Sequence, residues 1–172
     1  MRTLRLHPWL WSGAAALLLL PALAMRFYPQ AGVAWTALDF VAMGVLLAAA
    51  CGALELGLRR GRALAYRAGF ALAVGAALLT AWVNLAVGML GRAGDPANAL
   101  FIVVLAVAVL GSARARLRAP GMARAMAAAA LMQLATAGIA VGMGRFAPVE
   151  LVLTACFALP WALAAVLFRK AG

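Results

Sequence analysis

Six apolar stretches, each about as long as a membrane-crossing helix, constrain this chain more than any other feature. They run over residues 9–25, 37–58, 68–91, 97–113, 122–144 and 148–168. A helix needs about 20 apolar residues to cross a hydrocarbon core of roughly 30 Å. The runs are continuous and rich in Ala and Leu. They lack the alternation of barrel strands, so helices are expected. With 68% of residues hydrophobic and 11% charged, the chain has too little polar surface to cover a water-soluble globule. The expected fold is all-α: a polytopic membrane protein, a bundle of six transmembrane helices forming one domain over residues 1–172.

Orientation follows from the basic residues, which concentrate in cytoplasmic loops. With the N-terminus inside, the inner segments hold Arg2, Arg5, Arg59, Arg60, Arg62, Arg67, Arg114, Arg116, Arg118, Arg124, Arg169 and Lys170. The outer loops hold Arg26, Arg92 and Arg145, twelve against three. Both termini are therefore expected to be cytoplasmic. A competing reading takes Arg2 and Arg5 as the n-region of a signal peptide, with Ala22-Leu23-Ala24 as its cleavage site. Residues 1–24 would then be lost and the mature chain would start at Met25.

The net charge of +11 raises nucleic acid as a partner, and the pattern argues against it. A nucleic-acid binder gathers its basic residues on one soluble face. Here they are dispersed between apolar runs. Cys51 and Cys156 each sit inside an apolar segment with no CxxC and no local His, so they read as small buried hydrophobes. Basic residues recur at 55-residue steps at Arg59, Arg114 and Arg169, which any series of short-looped hairpins produces.

The chain has four acidic residues, and each has a local explanation. Thr36-x-x-Asp39 resembles a capping box at the start of the second helix. Asp95-Pro96 places a cap residue before a proline at the first helical position. Glu150 lies in the first turn of the last helix, where the dipole favours an acid. Glu55 stands four residues before Arg59, the spacing of a helical ion pair. None is expected near the bilayer midplane, where coupled carriers keep an ionisable group. No helix interrupted in the manner of transporters stands out.

Catalytic and cofactor signatures are lacking. The one histidine, His7, cannot form a bis-histidine haem site within the chain. No metal cluster, G-x-S-x-G elbow, H-E-x-x-H or phosphate loop occurs. The reading is no enzyme, no cofactor and no metal.

Within the spans, the uncharged polar residues are chiefly Thr80, Asn84, Gln133, Thr136 and Thr154. Ala76, Thr80, Asn84 and Gly88 share one face at four-residue steps. So do Gly44, Ala48 and Gly52, and so do Ala129, Gln133 and Ala137 beside Gly138-x-x-x-Gly142. Small residues at such steps let helices approach closely in lipid. An amide facing lipid would be left unsatisfied, so Asn84 and Gln133 are expected to point inward and join helices. For Asn84 there is an alternative. Seven residues from the outer end of segment 68–91, it would lie about 10 Å deep. It could then floor an outward-facing polar pocket with Arg26, Asp39, Asp95, Asn98, Arg145 and Glu150.

Several strings also resemble those of small multi-pass bacterial inner-membrane proteins. They are Trp82-Val83-Asn84-Leu85-Ala86-Val87-Gly88, Asp95-Pro96-Ala97-Asn98, Pro21-Ala22-Leu23-Ala24-Met25-Arg26-Phe27, Asp39-Phe40-Val41-Ala42-Met43-Gly44 and Glu55-Leu56. The likeness covers about residues 20–125 and fades through the last two helices. The family is uncharacterised, so the resemblance implies an inner-membrane location and no activity or site residues. The expected role is a non-enzymatic scaffold or accessory subunit. Its expected partners are membrane lipids and a second copy or another membrane protein. The alternative is a small transporter, or a protein binding lipid or a small ligand in the outer pocket.

Overall fold

A proline in the first turn or a capping side chain marks most helix starts in this chain. The computed structural model describes residues 7–172. Arg2 and Arg5, used in the charge count and the signal-peptide reading, lie outside the described residues. The described chain is helical, with six helices long and apolar enough to cross a membrane. Its contacts group into two compact units, one ending at Leu56 and the other running Gly57–Gly172.

The first unit is a helical hairpin. Helix α1 spans Pro8–Phe27 and opens with Pro8, whose missing N–H is no loss in the first turn. Helix α2 spans Ala37–Arg60. Its start is the expected reciprocal cap. The Thr36 N–H donates to Asp39 Oδ2 at 2.7 Å, and the Asp39 N–H donates to Thr36 Oγ1 at 3.3 Å. Glu55 is 5% exposed. It accepts from the His7 N–H at 3.0 Å and from Trp11 Nε1 at 2.9 Å, tying the start of α1 to the far end of α2. Sequence spacing suggested Arg59 as its neighbour and gave no sign of these two donors.

The second unit holds α3 (Leu64–Ala86), α4 (Ala99–Arg114), α5 (Ala119–Met143), α6 (Pro148–Cys156) and α7 (Ala158–Lys170). Helix α5 is central and packs on α4, α6 and α7, while α3 packs on α7 and α4. Small residues set these distances. A Cβ on Gly111 of α4 would lie 2.8 Å from the Ala125 Cβ of α5, so only glycine permits that approach. Ala129, Gln133 and Ala137 are buried as expected, but Gly138 and Gly142 are exposed and face open space. That small pair therefore seats no helix of this unit, which corrects the expected packing face.

Two further departures matter. Segment 68–91 was expected to be helical to its end. Instead α3 stops at Ala86, and Gly88 has φ +78, a value that turns the chain back. The Val83 carbonyl takes both the Val87 and Gly88 N–H groups at 3.0 Å, closing the last turn. Met89 and Leu90 then tuck under the helix ends and pack with Ala97, Phe101 and Ala140. Gly88 thus leaves the helical face assigned to it. The last segment, expected as one helix over 148–168, is a single membrane-length span over Pro148–Lys170, divided at Phe157 into α6 and α7. Pro160 offers no N–H to the Cys156 carbonyl four residues back, and its ring crowds that carbonyl.

Candidate functional site

Five of the seven residues expected around an outer pocket fall in the second unit: Asn84, Asp95, Asn98, Arg145 and Glu150. Arg26 and Asp39 belong to the first unit. Asp39 serves the cap described above, and the Arg26 guanidinium lies 6.0 Å from the ring centre of Phe27.

Asn98 closes the α3–α4 connection. Its Oδ1 accepts the N–H groups of Met89 at 3.1 Å and Leu90 at 3.0 Å. Its Nδ2 donates to the carbonyls of Leu90 and Arg92, both at 3.0 Å. A carboxamide offers two donors and two acceptor lone pairs, so this one is fully engaged by backbone. Asp95 begins the short 3-10 turn Pro96–Asn98, its Oδ1 accepting the Ala97 N–H at 2.9 Å. The same carboxylate receives Arg145 in a forked pair, Nη1 to Oδ2 at 2.7 Å and Nη2 to Oδ1 at 2.8 Å. The Arg145 hydrogen bond, with the Ala97 N–H second, holds the Asp95 carboxyl down at about 2. The same pairing pushes the Arg145 guanidinium up. Arg145 also stacks 4.3 Å from the centre of the Phe146 ring.

Glu150 turns back to accept the Ala147 N–H at 3.1 Å, at the start of α6. Asn84 sits in the last turn of α3, two residues from its end rather than seven. Its Nδ2 donates to the Thr80 carbonyl at 2.7 Å, within its own helix, and its Oδ1 is buried without a partner among the described residues. The expected depth of about 10 Å was counted from a helix running to residue 91, whereas α3 ends at Ala86. The structure therefore gathers Asp95, Asn98 and Arg145 at one loop and assigns Glu150 to a helix start. The backbone bonds made by Asn98 and the Arg145 pairing could not be read from spacing, because both depend on how the loop folds back.

An open cleft of about 540 Å³ lies at the other end of this unit, where the α2–α3 and α4–α5 connections meet. Its arginines entered the sequence reading only as a charge count. Among the described residues no three or more His, Cys, Asp or Glu side chains gather as metal ligands. Both cysteines are free, Cys51 buried and Cys156 exposed.

Compared with family models, curated proteins and solved structures, the chain matches none.

Proposed function

We propose that the chain is a bacterial inner-membrane protein that crosses the bilayer six times with both termini cytoplasmic, and that it acts as a non-enzymatic scaffold or accessory subunit. One observation carries the membrane reading: large apolar side chains lie exposed along the helices, while polar ones are buried within an otherwise apolar interior. Thr80, Gln133, Thr136 and Thr154 are 0% exposed, while Ile102 and Leu131 are each 68% exposed. In water that arrangement would forfeit the apolar burial that drives folding. In lipid it is favourable, because apolar side chains face hydrocarbon and a buried polar one can bond between helices, as Gln133 does to the Thr154 carbonyl. The charge asymmetry supports the orientation, and the likeness to small inner-membrane proteins supports the location.

The scaffold role is supported by how the polar residues are used. Asp39, Asp95, Asn98 and Glu150 bond backbone at helix starts and turns, and Arg145 is spent on Asp95. Groups engaged in this way organise loops and leave little chemistry for a substrate.

The test uses single cysteines in a Cys51→Ala, Cys156→Ala background. Ala93→Cys should react with a membrane-impermeant maleimide in spheroplasts, and Gly172→Cys only after permeabilisation. The reverse pattern would overturn the orientation, and extraction by alkaline carbonate would overturn the spanning itself. Cross-linking in membranes should capture a second copy or another membrane protein. Solute uptake by proteoliposomes of the purified protein would instead make it a transporter.

A further inference from the structure

The arginine-rich end of the second unit is more than a set of topological charges. Arg60, Arg62, Arg116 and Arg118 line the cleft together with Gly61 and Tyr66. Among the described residues no Asp or Glu side chain lines it. Four guanidinium groups around one concavity repel one another and focus a positive potential in it. Orientation in a membrane accounts for arginines at this end. It does not account for their convergence on one hollow.

The backbone beneath them is held in an unfavourable shape. Arg116 and Leu117 have φ +49 and +58, two successive non-glycine residues in the left-handed region. The fold clamps them there. Tyr66 Oη donates to the Leu117 carbonyl at 2.8 Å, and the Arg118 N–H donates to the Ala115 carbonyl at 3.0 Å. Tyr66 is itself buried, its ring edge-on to Phe168 at 5.2 Å. Gly61 is required beside it, since a Cβ there would collide with the Tyr66 ring. On the other wall, Arg67 Nε donates to the Gly61 carbonyl at 3.1 Å and steadies the turn that carries Arg60 and Arg62. Strain of this kind, over-determined by a buried clasp, is expected where a turn must aim its side chains.

We propose that this cleft binds a phosphate-bearing anion, gripped by guanidinium forks, and that the anion is the headgroup of an anionic phospholipid. Arginine suits this ligand because its planar fork pairs two oxygens at once. The cleft volume falls within the roughly 300–1,000 Å³ of small-molecule sites. The mouth lies at helix ends, the level of the headgroups for a bundle that spans a bilayer. The lipid source rests on the membrane reading above; the phosphate chemistry does not.

The experiment titrates the full-length protein in nonionic detergent with three probes and counts bound ligand by native mass spectrometry. The probes are dioleoyl phosphatidylglycerol, dioleoyl phosphatidylcholine and glycerol 3-phosphate. Arg116→Gln with Arg118→Gln is compared with Arg114→Gln with Arg124→Gln, which removes two charges from the same end outside the cleft lining. Phosphatidylglycerol should bind in preference to phosphatidylcholine. The cleft double variant should weaken it by roughly ten- to thirty-fold, and the control pair should leave it nearly unchanged. Tyr66→Phe, which keeps every charge but releases Leu117, should also weaken binding. Glycerol 3-phosphate binding through the same arginines, without lipid preference, would assign the cleft to a soluble phosphate ester. Equal weakening by both double variants would overturn the proposal, as would the failure of all three probes to bind selectively. Neither result would bear on the cysteine-labelling pattern.

Discussion

The side-chain amide of Gln133, in the middle of α5, donates to the backbone carbonyl of Thr154 near the end of α6 across 2.9 Å, with both residues fully buried. Thr154 lies just before the Phe157 break, so the bond anchors α6 to the central helix where the last segment is interrupted. Hydrogen bonds between membrane helices average about 0.6 kcal/mol and reach about 1.7.

Gln133→Met keeps the length of the side chain and removes the donor. The Thr154 carbonyl then loses its partner across the helices, while the unpartnered Gln133 Oε1 is also removed. The net loss should be about 1 kcal/mol, a fall in detergent melting temperature of about 2–4 °C. An unchanged or higher melting temperature would show that the bond contributes nothing net.

Asn98→Ala cuts four bonds at once and leaves the Met89 and Leu90 amides without their acceptor. Each half-buried backbone group left unsatisfied costs about 1–3 kcal/mol, and water can reach part of this loop. The expected destabilisation is about 2–4 kcal/mol. Hydrogen exchange at the Met89 and Leu90 amides should rise sharply, and Asn98→Asp, which keeps the acceptor, should protect them in part. Retained protection in the alanine variant would mean that the loop is held by its apolar packing alone.

The Asp95–Arg145 pair makes stability depend on pH. Asp95 ordinarily titrates near 3.8 and is held at about 2 in the folded chain. A depressed carboxylate stabilises the fold above its unfolded value, and the contribution fades as pH falls through the folded one. The difference in melting temperature between the wild-type chain and Asp95→Asn should therefore be steady above about pH 4 and shrink between about pH 4 and 2. A difference that does not vary across that window would sink the assignment. The pair is partly open to solvent, Arg145 51% and Asp95 13% exposed, so added salt should narrow the difference as well.

The capping residues show what short-range chemistry makes legible. Thr36 with Asp39, Asp95 before Pro96, and Glu150 behind Pro148 could each be placed from spacing, and each bonds backbone within three residues. A helix start is a local event, in which exposed N–H groups meet a side chain a few positions away. Gln133 was legible for a different reason, since an amide in an apolar segment has few places to point but inward. Asn84 was only half legible. Its Oδ1 is buried, but its Nδ2 bonds its own helix, and the helix end assumed for it was wrong because hydropathy does not register where α3 stops.

The sequence by itself determined the number of apolar segments, their helical character and most of their starting points, because long Ala- and Leu-rich runs favour helix and caps act over a few residues. Only the tertiary structure decided the rest. Met89 and Leu90 continue an apolar run, yet they leave the helix because a pocket among Ala97, Phe101 and Ala140 receives them and Asn98 bonds their amides. Glu55 finds Trp11 and the His7 backbone, and Arg145 finds Asp95, across 44, 48 and 50 residues. Arg60 and Arg62 share a cleft with Arg116 and Arg118 because Tyr66 fastens one turn beneath the other. Such pairings follow from packing, and no local pattern in the chain encodes them.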